Sequence, residues 1–127
     1  MALDPKTPGV FTWNELMTTD VAAAAAFYGA LFGWTCDGMS MAGSSYVTAK
    51  VRGEDAAGIM GMPPGKEHLS PGWGAYVTVA SIDETLTRVA QLGGKVLVGK
   101  TPIPGGHHFA VLLDPQGAAL GVFEYSA

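Results

Sequence analysis

FTWNELMTTDVAAAAAFYGALFGW, residues Phe11 to Trp34, changes its hydrophobic period part-way along. Up to Thr18 the period is two, with Phe11, Trp13, Glu15 and Met17 on one face and Thr12, Asn14, Leu16 and Thr18 on the other. Alternation over that length predicts a strand. Thr19 and Asp20 then offer side-chain oxygens to the free N–H groups of a helix start. Five alanines follow, the best helix formers. Phe27, Tyr28, Leu31 and Phe32 have the spacing of a stripe buried against a core, and Gly33 supplies the helix stop.

Glu15 is the unexpected member of its face. It either reaches water at an open sheet face or sits in an apolar hollow. In the hollow, desolvation would raise its pKa above the free glutamate value of about 4.3, which suits a proton carrier or a strong partner for a ligand. Glu15 is accordingly the candidate catalytic residue.

Downstream, the pattern predicts strands at Trp34 to Met39, Tyr46 to Val51 and Ala57 to Met62, with turns at Gly43-Ser44-Ser45 and Arg52 to Asp55. PPGKEHLSPG, residues 63–72, reads as a linker that carries a solvated His68. A second run then begins, with a strand at Trp73 to Val79 and a capping box at Ser81 and Glu84. The helix stops at Gly93-Gly94. A strand at Lys95 to Lys100, a loop at Thr101 to Gly106, a strand at His108 to Leu113, the turn Asp114-Pro115-Gln116-Gly117 and a strand at Ala118 to Tyr125 complete the chain. Residues 1–9 are expected to be extended or frayed.

Sliding the halves by roughly 61 positions superposes Asp20 on Ser81, Gly33 on Gly94, Leu16 on Val77 and Ile59 on Leu120. The expected fold class is therefore α+β, a single domain over residues 1–127 made of two βαβββ modules. The first spans residues 10–62 and the second residues 73–126, with the linker between them and the sheets curling around a shared cleft.

Composition narrows the functional classes. The 127 residues suit one domain, and 48% hydrophobic against 14% charged residues predicts leftover apolar surface and a homodimer. Seven scattered Lys and Arg within a net charge of −4 give no footprint for nucleic acid or an anionic membrane. No secretory signal is visible, Val21 to Trp34 is too short to span a bilayer, and one cysteine forms no internal disulfide, so a cytoplasmic protein is expected. Cys36, with no activating neighbour in the sequence, reads as a small buried hydrophobe.

The chain resembles the vicinal oxygen chelate superfamily, which includes glyoxalase I, extradiol dioxygenases and the bleomycin and fosfomycin resistance proteins. The resemblance is carried by Trp13 to Leu16 with Asp20, Phe27-Tyr28, Leu31 to Trp34, Gly93-Gly94, Phe109-Ala110 and Asp114 to Gly117. It looks most like a glyoxalase- or bleomycin-resistance-like branch. It implies paired βαβββ modules, a binding site in the concave sheet and homodimers. Members with metal chemistry place His or Glu at positions that fall here near Trp13, Met60, Gly74 and Gly121. None of these is a good ligand for a divalent ion, so no metal and no cofactor are expected. The alternative is a Zn, Ni, Mn or Fe site assembled from Glu15, His107 or His108, and Glu124.

In this register the concave face collects Trp13, Glu15 and Met17, Met60 and Met62, Gly74, Tyr76 and Thr78, and Gly121 and Phe123. An apolar, aromatic hollow with few polar groups is the usual make-up of a small-molecule site. The candidate ligand-binding residues are Trp13, Glu15, Met60, Tyr76, Phe123 and, beside Gly105-Gly106, His108. The leading expectation is a metal-free protein that binds a small, partly aromatic molecule. The alternatives are a metal-dependent lyase, isomerase or dioxygenase of glyoxalase type, and a structural homodimer without a ligand. Whether the chain is an enzyme stays open at this point.

Overall fold

The computed structural model describes residues 3–41, 44–62 and 65–127. Met1-Ala2, Gly43 of the expected first turn and Pro63-Pro64 of the expected linker lie outside the described residues. The elements in chain order are β1 (Phe11–Thr18), α1 (Val21–Phe32), β2 (Thr35–Met41), β3 (Ser44–Val51), β4 (Glu54–Gly61), β5 (Gly72–Thr78), α2 (Ile82–Gln91), β6 (Lys95–Ile103), β7 (His107–Leu113) and β8 (Ala119–Glu124). The fold is α+β, and the order βαβββ occurs twice. Among the described residues no helix is long and apolar enough to cross a membrane.

The chain separates into two compact units, Trp13–Gly74 and Met1–Thr12 with Ala75–Ala127. In Trp13–Gly74 the strands run in the order β2-β3-β4-β1, with β1 parallel to β4 and the other pairs antiparallel. In the other unit the order β5-β8-β7-β6 repeats that scheme, with β5 parallel to β8. Residues 3–10 are not frayed. Gly9 N donates to Thr78 O and Thr78 N donates to Val10 O, each at 2.9 Å, and the buried Thr78 hydroxyl donates to Pro5 O.

The ladders correct the internal alignment. Leu16 pairs with Ile59 and Val77 pairs with Val122, so the counterpart of Ile59 is Val122 rather than Leu120. Gly33 and Gly93, not Gly94, take the left-handed backbone after the helices, at φ 75° and 90°. The slippage has a local cause: α2 has 10 residues against 12 in α1, whereas β6 has 9 against 7 in β2. β6 also runs through Pro102, where a loop was expected. It ends the strand order, and proline is tolerated at such an edge. Register shifts at Val96/Val98 and Val98/Thr101 absorb the irregularity. The β3–β4 turn shrinks to Arg52-Gly53, both with positive φ, and β4 therefore begins at Glu54.

The larger correction concerns α1. Asp20 Oδ1 caps it by accepting from Ala23 N at 3.0 Å, as expected. The aromatic stripe does not turn inward, however: Phe27 is 60% and Phe32 59% exposed, and no α1 residue is buried. Both flanks of this helix are apolar, so spacing alone does not choose between them. The half-buried residues include Ala24, Ala25 and Gly29, whose small side chains allow close approach to the sheet. Cys36 Sγ lies 4.0 Å from Ala25 O on that side. Cys36 pairs with Ala49 and Ala49 with Ala57, which places the buried Ala49, Ala57, Ile59 and Leu16 on the α1 face. The outer rings pack on one another: Tyr28 lies 5.0 Å from Phe27, 5.9 Å from Trp34 and 5.4 Å from Trp73.

α2 follows the ordinary amphipathic rule. Ile82, Ala110 and Val122 form its core with Val79, Leu86 and Leu112 around them. Ser81 Oγ accepts from Glu84 N at 3.2 Å, which is the expected cap. A second first-turn donor, Ile82 N, is satisfied from β8 by Glu124 Oε1 at 2.7 Å.

Candidate functional site

In Trp13–Gly74 the sheet face opposite α1 carries Trp13, Glu15 and Met17 from β1, Tyr46 and Thr48 from β3, and Gly58 and Met60 from β4. Trp13 Nε1 donates to the Tyr46 hydroxyl at 3.2 Å, and that hydroxyl donates to Glu15 Oε2 at 2.7 Å. The direction of the chain is fixed by its first member. An indole N–H only donates, so the Tyr46 oxygen accepts and its single hydrogen goes to Glu15.

Glu15 is 8% exposed, so it is buried rather than solvated on an open sheet face. The Tyr46 hydroxyl is held well above the ordinary tyrosine pKa, first by burial and then by the neighbouring Glu15 charge. It stays a neutral donor throughout the physiological range.

Gly58, the ladder partner of Glu15, makes the contact possible. A Cβ at Gly58 would stand 1.9 Å from the Tyr46 hydroxyl oxygen and 3.2 Å from Glu15 Oε2. The phenol crosses the space that any other residue would fill.

The other unit builds the matching face from rings. Tyr76, 4% exposed, lies across its ladder partner Gly121, where a Cβ would come within 2.2 Å of Tyr76 Cδ2. Phe109 meets Tyr76 edge-on at 6.1 Å, and Phe123 meets Tyr125 at 4.7 Å. His107 lies 5.6 Å from Phe123 and 5.4 Å from Tyr125, and its Nδ1 accepts from Ser126 N at 2.9 Å. Tyr125 shares a short hydrogen bond with the Thr12 hydroxyl, and Lys6 Nζ sits 5.3 Å above its ring.

The structure thus joins Trp13 and Glu15 through Tyr46, with Met60 on the same face, and gathers Tyr76 and Phe123 on the aromatic face of the other unit. His108 stands elsewhere. It pairs with Glu124 and alternates with Ala110 and Leu112 on the α2 face, and His107 occupies the aromatic face. Sequence reading missed Tyr46, which it placed in a strand without a role. The available signal was a tyrosine in one strand and a glycine, Gly58, in the next, the pattern of a ring that needs room.

Trp13, Met60, Gly74 and Gly121 contribute no imidazole or carboxylate, and among the described residues no three His, Cys, Asp or Glu come together. Glu124 is engaged with the α2 amide, and Glu15 Oε2 accepts from Tyr46.

Residues 10–122 match the family described as the Glyoxalase/Bleomycin resistance protein/Dioxygenase superfamily. CFP32 of Mycobacterium tuberculosis, which carries a provisional glyoxylase name, is 36% identical over 119 residues, covering 91% of this chain and 46% of its own. The anthracycline biosynthesis protein DnrV of Streptomyces peucetius is 33% identical over 130 residues, covering 92% and 47%. The chain therefore spans about half the length of these relatives. The crystal structure of methylmalonyl-CoA epimerase from Mycobacterium tuberculosis superposes with a TM-score of 0.67 over 100% of this chain and 94% of that one. At 14% identity, that likeness speaks for the fold alone.

Proposed function

Because the chain belongs to the Glyoxalase/Bleomycin resistance protein/Dioxygenase superfamily, we propose that it binds a small, partly aromatic molecule without a resident metal ion. The contacts are Trp13, Glu15 and Met60 of the unit Trp13–Gly74. The observation that carries this reading is the buried Glu15 carboxyl, held by the hydrogen-bond chain from Trp13 through Tyr46 on a face whose other side chains, Thr48 apart, are apolar. A few placed polar groups within an apolar lining are what a ligand site needs for orientation. DnrV's name supports the aromatic part, since anthracyclines are fused-ring compounds.

A naphthalenediol serves as the probe, read by thermal shift and titration. Binding to the wild-type protein that Trp13→Ala and Glu15→Gln both weaken is the expected result. Binding that neither substitution alters would remove the site assignment.

The glyoxylase name of CFP32 favours a second reading, a lyase of glyoxalase type. Elemental analysis of protein purified without chelator separates the two. Stoichiometric Zn, Ni, Mn or Fe would overturn the metal-free reading. The apolar composition further supports assembly as a homodimer, which light scattering tests directly.

A further inference from the structure

We infer that the outward face of α1, from Ala23 to Leu31 with Phe32 and Trp73 beside it, is where a second copy of this chain docks, the two α1 helices lying antiparallel across a two-fold axis; this rests on the homodimer reading above and adds the face that forms it.

A helix that is apolar on every side needs cover on every side. Val21–Phe32 holds no charged residue, and its half-buried Ala24, Ala25 and Gly29 approach the sheet. Ala23, Ala26, Phe27, Ala30 and Leu31 are exposed instead. They follow the i, i+3, i+4, i+7, i+8 spacing of a second apolar stripe, which faces water in the single chain. The rings at its end are already held in place. Tyr28 stacks on Phe32 at 6.1 Å, Trp34 lies 5.2 Å from Phe32 and 6.0 Å from Trp73, and Trp73 Nε1 donates to the Tyr28 hydroxyl at 3.2 Å. Preordered aromatic anchors lose little side-chain freedom when a partner covers them.

The area fits a dimer. Phe27, Leu31, Phe32 and Trp73 are 60%, 58%, 59% and 43% exposed. Those fractions leave on the order of 500 Å² of apolar side chain in water, near the upper end for the largest patch of a monomer. The exposed alanines extend it toward the ~800 Å² that each partner of a standard interface buries.

Charge and shape select the occupant. The chain carries −4 overall, so two copies repel wherever acidic surface meets acidic surface, whereas Val21 to Cys36 holds no charge of either sign. Two copies can meet there without that repulsion. The same run offers no cation to an anionic bilayer. The helix is also small at one end and bulky at the other, with Ala22 to Ala26 followed by Phe27, Tyr28, Leu31 and Phe32. Antiparallel pairing lays the bulky half of each helix on the alanine half of the other. Leu31 of each copy then meets Ala23 of the other, and Phe27 lies near the axis. An isologous interface requires this self-complementarity, residue i on j and j on i.

Sedimentation equilibrium of the wild type, Phe27→Glu, Leu31→Glu and Leu92→Glu tests the face, with circular dichroism to confirm that each variant is folded. The wild type is expected to be a dimer at micromolar concentration. Phe27→Glu and Leu31→Glu should each weaken dimerisation about thirtyfold or more. Leu92→Glu, at an exposed leucine that ends α2, should leave it unchanged. Oxidising a mixture of Ala23→Cys and Leu31→Cys chains, each also carrying Cys36→Ser, should link unlike chains. Like-chain disulfides at position 23 would overturn the antiparallel order. A dimer that survives both glutamates overturns the docking face and leaves the homodimer reading standing, whereas a wild type that stays monomeric at about 100 μM sinks both. Cosedimentation of the wild type with phosphatidylcholine–phosphatidylglycerol vesicles, abolished by Phe27→Glu, would give the face to a membrane and overturn the inference.

Discussion

The two helices begin alike and are held in opposite ways. Asp20 and Ser81 cap equivalent first turns. Beyond the caps, α1 is alanine-rich, uncharged and without a buried residue, whereas α2 is amphipathic and anchors Ile82 at 0% exposure. α1 is helical because its residues prefer the conformation. α2 is helical because one flank has a core to enter and because Glu124, 42 residues away, takes an amide of its first turn. The sheets beneath them differ in the same spirit. Each pairs a side chain of its first strand with a glycine of its last, yet one face is completed by the polar Trp13–Tyr46–Glu15 chain and the other by Tyr76 and its neighbouring rings. A repeated backbone plan therefore leaves side-chain chemistry free to diverge.

The helix contrast is broken most directly at its equivalent first residues. Ile82→Ala should cost about 2–5 kcal/mol, because the methylenes leave a cavity in a closed core. Val21→Ala should cost under about 1 kcal/mol, since Val21 is only half-buried and alanine favours the helix. Urea unfolding measures both, and equal losses would erase the distinction drawn between α1 and α2.

The next largest effect separates the two glycines. Gly121→Ala drives a methyl group into the body of the buried Tyr76 ring and should cost about 1–3 kcal/mol. Gly58→Ala meets the far end of Tyr46 instead, so it should cost less stability while breaking the hydrogen bond to Glu15. Thermal melts that rank the pair the other way would contradict the packing described for Tyr76.

The smallest effect is a slope. The Tyr46 hydroxyl loses its proton later in the folded protein than in the unfolded chain, because burial and Glu15 oppose the phenolate. Its contribution is therefore complete below the ordinary tyrosine pKa of about 10 and declines as the pH rises above it. Tyr46→Phe should make the alkaline fall in unfolding free energy shallower. An unchanged slope would mean that Tyr46 is not the neutral, buried donor described here.

Much of the fold could be read along the chain, and the site only in part. Period two in Phe11 to Thr18, the caps at Asp20 and Ser81 and the stops at Gly33 and Gly93 are written within a few neighbouring residues. Hydrogen bonding and backbone preference act over that range, which is why the α+β order βαβββ, twice over, was legible. Trp13, Glu15, Met60, Tyr76 and Phe123 were legible as face residues for the same reason. Tertiary structure alone decided that alanines rather than aromatics of α1 approach the sheet, that Tyr46 reaches Glu15 across Gly58, and that His107 rather than His108 joins the aromatic face. These outcomes depend on strand register and on which of two apolar flanks packs more closely. A shift of one residue exchanges the two faces of a strand, and nothing local to Tyr46 or His107 fixes that choice.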